Sequence, residues 1–93
     1  MNEQKKQAIV DLIKMEIDDG NEVAIYRGED LEDGANITGG IAPVYIGRIF
    51  NSAIYELEDR GGGKPLTYGL VRVVQSGEVV QSRYDDHHFD FRD

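Results

Sequence analysis

The sequence predicts an α+β fold, a small antiparallel-containing sheet packed with two helices, in the order α-β-α-β-β. Two stretches carry apolar residues at helical spacing, and others are rich in Val, Ile, Leu and Tyr, as strands are. The chain has 93 residues, of which 40% are hydrophobic and 2 are Pro, a composition typical of a folded globule. We therefore expect a single domain over residues 1–93.

The first helix is predicted over residues 2–19 and the first strand over residues 22–27. Asn2 suits the N-cap position, because its side chain can accept from the free N–H groups of the first turn. Gly20 suits the end of the helix. The strand, EVAIYR, alternates its side chains between two faces. The apolar stripe of the helix consists of Ile9, Leu12, Ile13 and Ile17.

Residues 28–40 connect this strand to the second helix. The stretch, GEDLEDGANITGG, is polar and acidic and contains four glycines. In a compact domain, connections of this length are usually functional or mobile. We therefore expect it to contribute to a binding surface.

The second helix is predicted over residues 43–60. Pro43 suits the first helical position, and the glycines that follow Arg60 end the helix. Glutamates and an aspartate crowd its last turn, where they are expected to be solvated. Its apolar stripe, which we assign to the core, consists of Ile46, Ile49, Phe50, Ala53, Ile54 and Leu57.

A β-hairpin is predicted over residues 66–84, with strands at 66–74 and 78–84 and a turn near Ser76 and Gly77. Adjacent valines near the turn place apolar groups on both faces of the hairpin, so a second subunit is expected to cover one face. Two phenylalanines in the charged C-terminal segment also need cover. The expected interface of a homo-oligomer therefore consists of Val73, Val80, Phe89 and Phe91.

The end of the chain, RYDDHHFDFRD, combines carboxylates, imidazoles and alternating aromatics. On a strand, Asp86, His88 and Asp90 point to the same side, where they are able to share a metal ion such as zinc. A single short strand rarely completes a metal site, however, and no second ligand motif accompanies it. The alternation favours a docking strand or a mobile tail at residues 85–93 that places its aromatics on a neighbour.

Charge is the most informative property of the sequence. A total of 18 acids and 10 bases leaves a net charge of −8. This disfavours nucleic acid and anionic membranes as direct ligands, since both are bound through Lys and Arg. The acids are dense between Glu16 and Asp33, and such a block is either a solvated face or a surface that attracts a basic partner. The residues assigned to partner binding are Asp18, Asp19, Glu22, Glu29, Asp30, Glu32 and Asp33.

Several kinds of chemistry are excluded or disfavoured. The chain has no Cys, and therefore no disulfide, thiolate metal site or Cys nucleophile. The glycine-rich stretch RGGGKP does not fit the phosphate-binding loop pattern, because Pro65 stands where Ser or Thr binds magnesium. No catalytic residue is assigned and no cofactor is expected. No apolar run reaches the roughly 20 residues of a membrane span and no signal peptide is recognised, so we expect a cytoplasmic location, in the host cell for a viral protein.

Three functional hypotheses follow. The first is a small, acidic, non-catalytic interaction module that inhibits or docks on a basic protein surface; in its sharpest form its carboxylates replace nucleic-acid phosphates in the groove of a nucleic-acid-binding protein. The second is a metal-assisted hydrolase or a small ligand-binding domain that uses the C-terminal Asp/His cluster. The third is a self-associating structural subunit. The first is the preferred interpretation.

Overall fold

The computed structural model describes residues 2–31, 41–75 and 84–93. The predicted α+β class is confirmed, and the predicted order α-β-α-β-β describes its main elements, to which a short helix and a short strand are added. The elements are α1 (Glu3–Asp18), β1 (Glu22–Arg27), α2 (Gly28–Leu31), β2 (Tyr45–Gly47), α3 (Phe50–Leu57), β3 (Tyr68–Val74) and β4 (Tyr84–Asp90).

The first helix and the first strand form where local signals predict them. The side chain of Asn2 accepts a hydrogen bond from the backbone N–H of Lys5 at 3.1 Å, which is the expected N-cap contact. Gly20 follows the helix with a positive φ of 87°, a conformation that glycine adopts without steric cost. Strand β1 has the predicted limits.

The predicted second helix is wrong over its first turns. Residues 45–47 form strand β2, which pairs antiparallel with β1, and the helix begins only at Phe50. The hydroxyl of Tyr45 donates to the carbonyl of Ile49 at 3.0 Å and accepts from its N–H at 2.9 Å, which closes the turn between strand and helix. As a result Ile46 and Ile49, which were assigned to the core, are 59% and 63% exposed.

The four strands form one antiparallel sheet in the order β2-β1-β3-β4. On the side away from β1, β3 pairs with a strand formed by the C-terminal segment, Tyr84–Asp90. The return strand predicted over residues 78–84 and the turn at Ser76 and Gly77 lie outside the described residues, apart from Tyr84. The segment predicted to dock on a neighbour is therefore an edge strand of the chain's own sheet.

One face of the sheet packs against α1 and α3 and forms the main core, and a smaller cluster on the other face consists of Ala24, Tyr26 and Leu70. Val73, Phe89 and Phe91 belong to the main core and are 1%, 6% and 1% exposed. The two phenylalanine rings meet edge to face, with their centroids 4.8 Å apart. These three side chains are thus covered within the chain, so the interface expected on them needs correction; Val80 lies outside the described residues.

Candidate functional site

The topology brings acidic residues from three elements to one end of the sheet. The backbone N–H of Asn2 donates to the carbonyl of Phe91 at 2.8 Å, which holds the start of α1 at the end of β4. Helix α1 therefore runs antiparallel to β1 and β4, and its C-terminus lies where both strands begin. Glu22 and Tyr84 are both paired with Val74, which fixes that alignment. We call this region the acidic end; it consists of Glu16, Asp18, Asp19, Glu22 and Asp85.

The carboxylates of the acidic end are only partly compensated. Asp18 forms an ion pair with Lys14 at 3.2 Å, and Glu16 accepts from the side-chain amide of Asn21 at 2.8 Å. Within the described part of the chain, the other three carboxylates of the acidic end have no ion pair. The C-terminus of α1 adds the partial negative charge of the helix dipole at the same place. The result is a concentration of negative charge at this end of the sheet.

The acidic block of the sequence is divided by β1. Glu29 and Asp30 lie in α2, beyond the far end of a six-residue strand. This strand separates them from Glu22 by roughly 17 Å, at about 3.3 Å per residue. Glu29 is also near Lys64, at 3.8 Å. The predicted partner-binding set is thus not one continuous surface: Asp18, Asp19 and Glu22 lie together, Glu29 and Asp30 lie elsewhere, and Glu32 and Asp33 lie outside the described residues.

Two members of the acidic end, Glu16 and Asp85, were not in the partner-binding set assigned from sequence, and of these Asp85 also lies outside the acidic block. It is distant in sequence from the others and reaches them only because β4 pairs with β3 and β3 with β1. The alternation of aromatic and charged residues predicts a strand there but not its neighbour. Pairing of strands is a long-range property that local patterns do not carry.

The predicted metal ligands lie in β4, where Asp86, His88 and Asp90 alternate along one strand. Arg72 binds Asp86 through two hydrogen bonds of 2.8 and 2.9 Å, and these bonds hold the pKa of Asp86 below its usual value. Hydrogen bonds from Arg92 lower the pKa of Asp90 to about 2. A metal ion would have to displace both arginines, and in the described ranges no three acidic or imidazole groups converge to hold one.

Two cavities border the same part of β4. One, of about 380 Å³, is lined by Tyr68, Leu31 and Gly28 as well as by His88 and Asp90. The other, of about 310 Å³, lies between β4 and α1. The guanidinium of Arg92 lies 3.9 Å from the centre of the Tyr68 ring beside the first cavity, a cation–π contact. Both recesses are mainly apolar, so they suit side chains or small apolar groups.

Comparisons with protein-family models, with curated protein sequences and with solved structures give no match to this chain. Among the helices described, none has the length and apolar character needed to cross a membrane.

Proposed function

We propose that this protein is a small, acidic, non-catalytic interaction module that binds a basic surface of a protein partner through the acidic end. One observation carries the proposal: the fold brings Asp85 from the C-terminal strand to the same end of the sheet as the acids of α1 and β1. Carboxylates from separate segments are thereby gathered at one end of the sheet, with Glu22 on one face and Asp85 on the other. The C-terminal dipole of a 16-residue helix reinforces it.

The distribution of basic residues supports the same conclusion. Many of them are already bound to acids elsewhere, as in the pairs Lys6–Glu58, Arg72–Asp86 and Arg92–Asp90. Such pairs have little net charge and leave the acidic end with much of the chain's surplus of −8. Complementary charge speeds the encounter of two proteins and fixes their orientation, and it weakens as salt screens it.

In its sharpest form, the proposal is mimicry of nucleic acid. Carboxylates on a rigid surface then stand in for phosphates and occupy the basic groove of a nucleic-acid-binding protein, which would be inhibited. The net charge of −8 supports a protein that itself acts as the anionic ligand. We place this activity in the cytoplasm, or in the host cytoplasm for a viral protein.

A charge-matched pair of variants tests the proposal. Three carboxylates of the acidic end have no ion pair within the described residues, and neutralising them with D19N, E22Q and D85N should weaken partner binding by about tenfold or more, since each lost contact contributes several tenths of a kcal/mol or more. The control carries E3Q, D11N and E56Q, which change the net charge equally at other places. Affinity capture at low salt identifies the partner, and titration of the purified partner at rising salt gives the affinities.

Three outcomes are distinguishable, and they separate the effect of where the charges lie from the effect of total charge. A loss confined to the acidic-end variant, together with release of the captured protein by duplex DNA, supports the proposal in its sharpest form. Equal losses in both variants would mean that only total charge matters. Undiminished capture by the acidic-end variant would overturn the proposal.

Self-association is a second candidate function, and one observation favours it. Ile46, Ile49 and Tyr55 are 59%, 63% and 44% exposed, and they lie in or next to β2 and α3. Large exposed apolar groups in adjacent elements are typical of an interface. Light scattering across a dilution series tests the idea: a fall in mass on dilution, and constant monomer mass for I46S/I49S, are expected of a self-associating subunit.

A further inference from the structure

A third recess lies between α3 and β2, at the edge of the sheet opposite to β4. It has a volume of about 380 Å³. The lining residues from α3 share one side of that helix, where residues four positions apart are neighbours. They are Asn51, Ser52, Tyr55 and Glu56, and Tyr45 of β2 completes the lining. One helix and one strand that pack together thus form the recess.

Two aromatic rings line this recess, and one of them is fixed in place. The half-buried Tyr45 packs against the main core, and its hydroxyl makes both of its hydrogen bonds with the backbone of Ile49, at 3.0 and 2.9 Å. Tyr55 supplies the second ring, and this residue is 44% exposed. The face of an aromatic ring carries partial negative charge. Both rings therefore favour a positively charged group beside them.

Glu56 adds a full negative charge to the recess. It is half-buried, and within the described ranges its carboxylate forms no ion pair. None of the residues that line the recess is basic. The two cavities at β4 differ in this respect, because their carboxylate, Asp90, is already bound by Arg92. The charge of Glu56 is therefore available to a ligand.

We propose that this recess binds a small organic cation of the quaternary ammonium class. Aromatic rings beside an anionic group suit such a cation, which has no N–H group and leaves no donor unpaired against the ring faces. The side chains of Asn51 and Ser52 are able to bond a hydroxyl group of the ligand. A metal ion is disfavoured, because hard cations need several oxygen ligands and Glu56 is the one carboxylate in the lining. The site lies outside the acidic end, so the inference goes beyond the function proposed above.

Two probes of the same shape test the role of the positive charge. Choline is the cationic probe, and the control is the neutral alcohol in which a carbon atom replaces the charged nitrogen. Each is titrated into the wild-type protein, with sodium chloride holding the ionic strength constant, while NMR follows the amide chemical shifts. We expect saturable shifts with choline at residues 51–56 and at Tyr45. The neutral alcohol should bind about tenfold more weakly, because it lacks both the ion pair and the cation–π contact.

Two pairs of variants test the ring and the carboxylate separately. Y55L removes the ring from an exposed position and should weaken choline binding about threefold, whereas Y55F keeps the ring and should bind as the wild type does. E56Q removes the charge in the recess and should also weaken binding about threefold. E3Q, in the first turn of α1, changes the net charge equally and should leave the affinity unchanged. The amide spectrum of each variant shows directly whether it is folded.

The absence of saturable shifts with choline would overturn the proposal, and so would equal affinity for the neutral alcohol, which would make the recess merely apolar. Shifts as large at Asp19 and Glu22 as in the recess would mean general attraction of cations to an acidic protein and would overturn it as well. Equal affinities within either pair of variants would contradict the assigned role of that side chain. E56Q leaves the acidic end unchanged and should retain partner capture, so the two proposals can fail separately.

Discussion

Arg72 and Asp86 face each other across β3 and β4 and are joined by two hydrogen bonds, 2.8 Å from Nε to Oδ1 and 2.9 Å from Nη2 to Oδ2. Two-point contact between guanidinium and carboxylate gives an ion pair a defined geometry as well as added strength. The guanidinium also lies 4.8 Å from the centre of the Tyr84 ring. The pair thus fixes the register of the edge strand at the end where β4 begins.

This ion pair predicts a pH dependence of stability. Hydrogen bonding by Arg72 lowers the pKa of Asp86 in the folded state, so its contribution is present above the unfolded pKa, near 4, and is lost as the pH falls through the folded value. D86N should cost about 0.5–1 kcal/mol of unfolding free energy at pH 7. Urea denaturation at pH 7 and at pH 3 should show the difference between D86N and wild type shrink at the lower pH. D11N, on the exposed face of α1, is the control, and a difference independent of pH would contradict the prediction.

The close packing around Gly69 predicts that replacing it with alanine strongly lowers stability. A Cβ at this position would lie 2.1 Å from the carbonyl oxygen of Tyr26, a backbone atom of the neighbouring strand, and 3.0 Å from the Phe89 ring. The backbone of β1 would have to move, so G69A should lower the unfolding free energy by about 1–3 kcal/mol. In G61A the nearest atom outside the adjacent residues is 3.6 Å away, an ordinary contact. Urea titration should separate the two; equal midpoints would show that the strands absorb the extra methyl.

Local signals in the sequence were sufficient for α1 and β1. A cap at Asn2, a glycine at position 20 and a run of alternating apolar residues act within a few residues of the elements that they define. The start of α3 was predicted too early, because Pro43 and the apolar spacing of the residues after it also fit a helix. There the chain is held extended by β1, where Ile25 accepts from the N–H of Val44 at 2.8 Å. Ile25 and Val44 are far apart in the sequence, so local patterns do not indicate this contact.

The acidic end likewise contains residues that local sequence predicts and a residue that only the fold brings to them. The density of acidic residues along the sequence was enough to predict three members of the acidic end, because this density depends only on local composition. Whether Glu29 joins them, and whether Asp85 does, depends on the length of β1 and on the strand order. Likewise the alternation of Phe89 and Phe91 indicated a strand in need of cover, but the cover is the chain's own core.

The arginines beside β4 predict the outcome of a metal titration. Arg72 and Arg92 bind the two carboxylates of the predicted metal cluster, so zinc would have to break both contacts before it could be held by Asp86 and Asp90. Calorimetry with zinc, manganese and magnesium at pH 7 should show no saturable binding to the wild type. The double variant R72M/R92M, which frees both carboxylates, should bind zinc more tightly than the wild type does. Saturable one-to-one binding to the wild type would instead revive the metal hypothesis.

The burial of Phe91 indicates that the C-terminal segment is part of the hydrophobic core. Its side chain is 1% exposed, and its backbone is bonded to Thr67 and to Asn2. F91A should cost about 3–5 kcal/mol, a large part of the 5–15 kcal/mol by which domains are stable. M15A, at a side chain that is 53% exposed, should cost far less. Urea unfolding at two protein concentrations distinguishes core from interface: a core residue shifts the midpoint equally at both, whereas an effect of F91A that vanishes on dilution would place Phe91 between subunits and refute its role in the core.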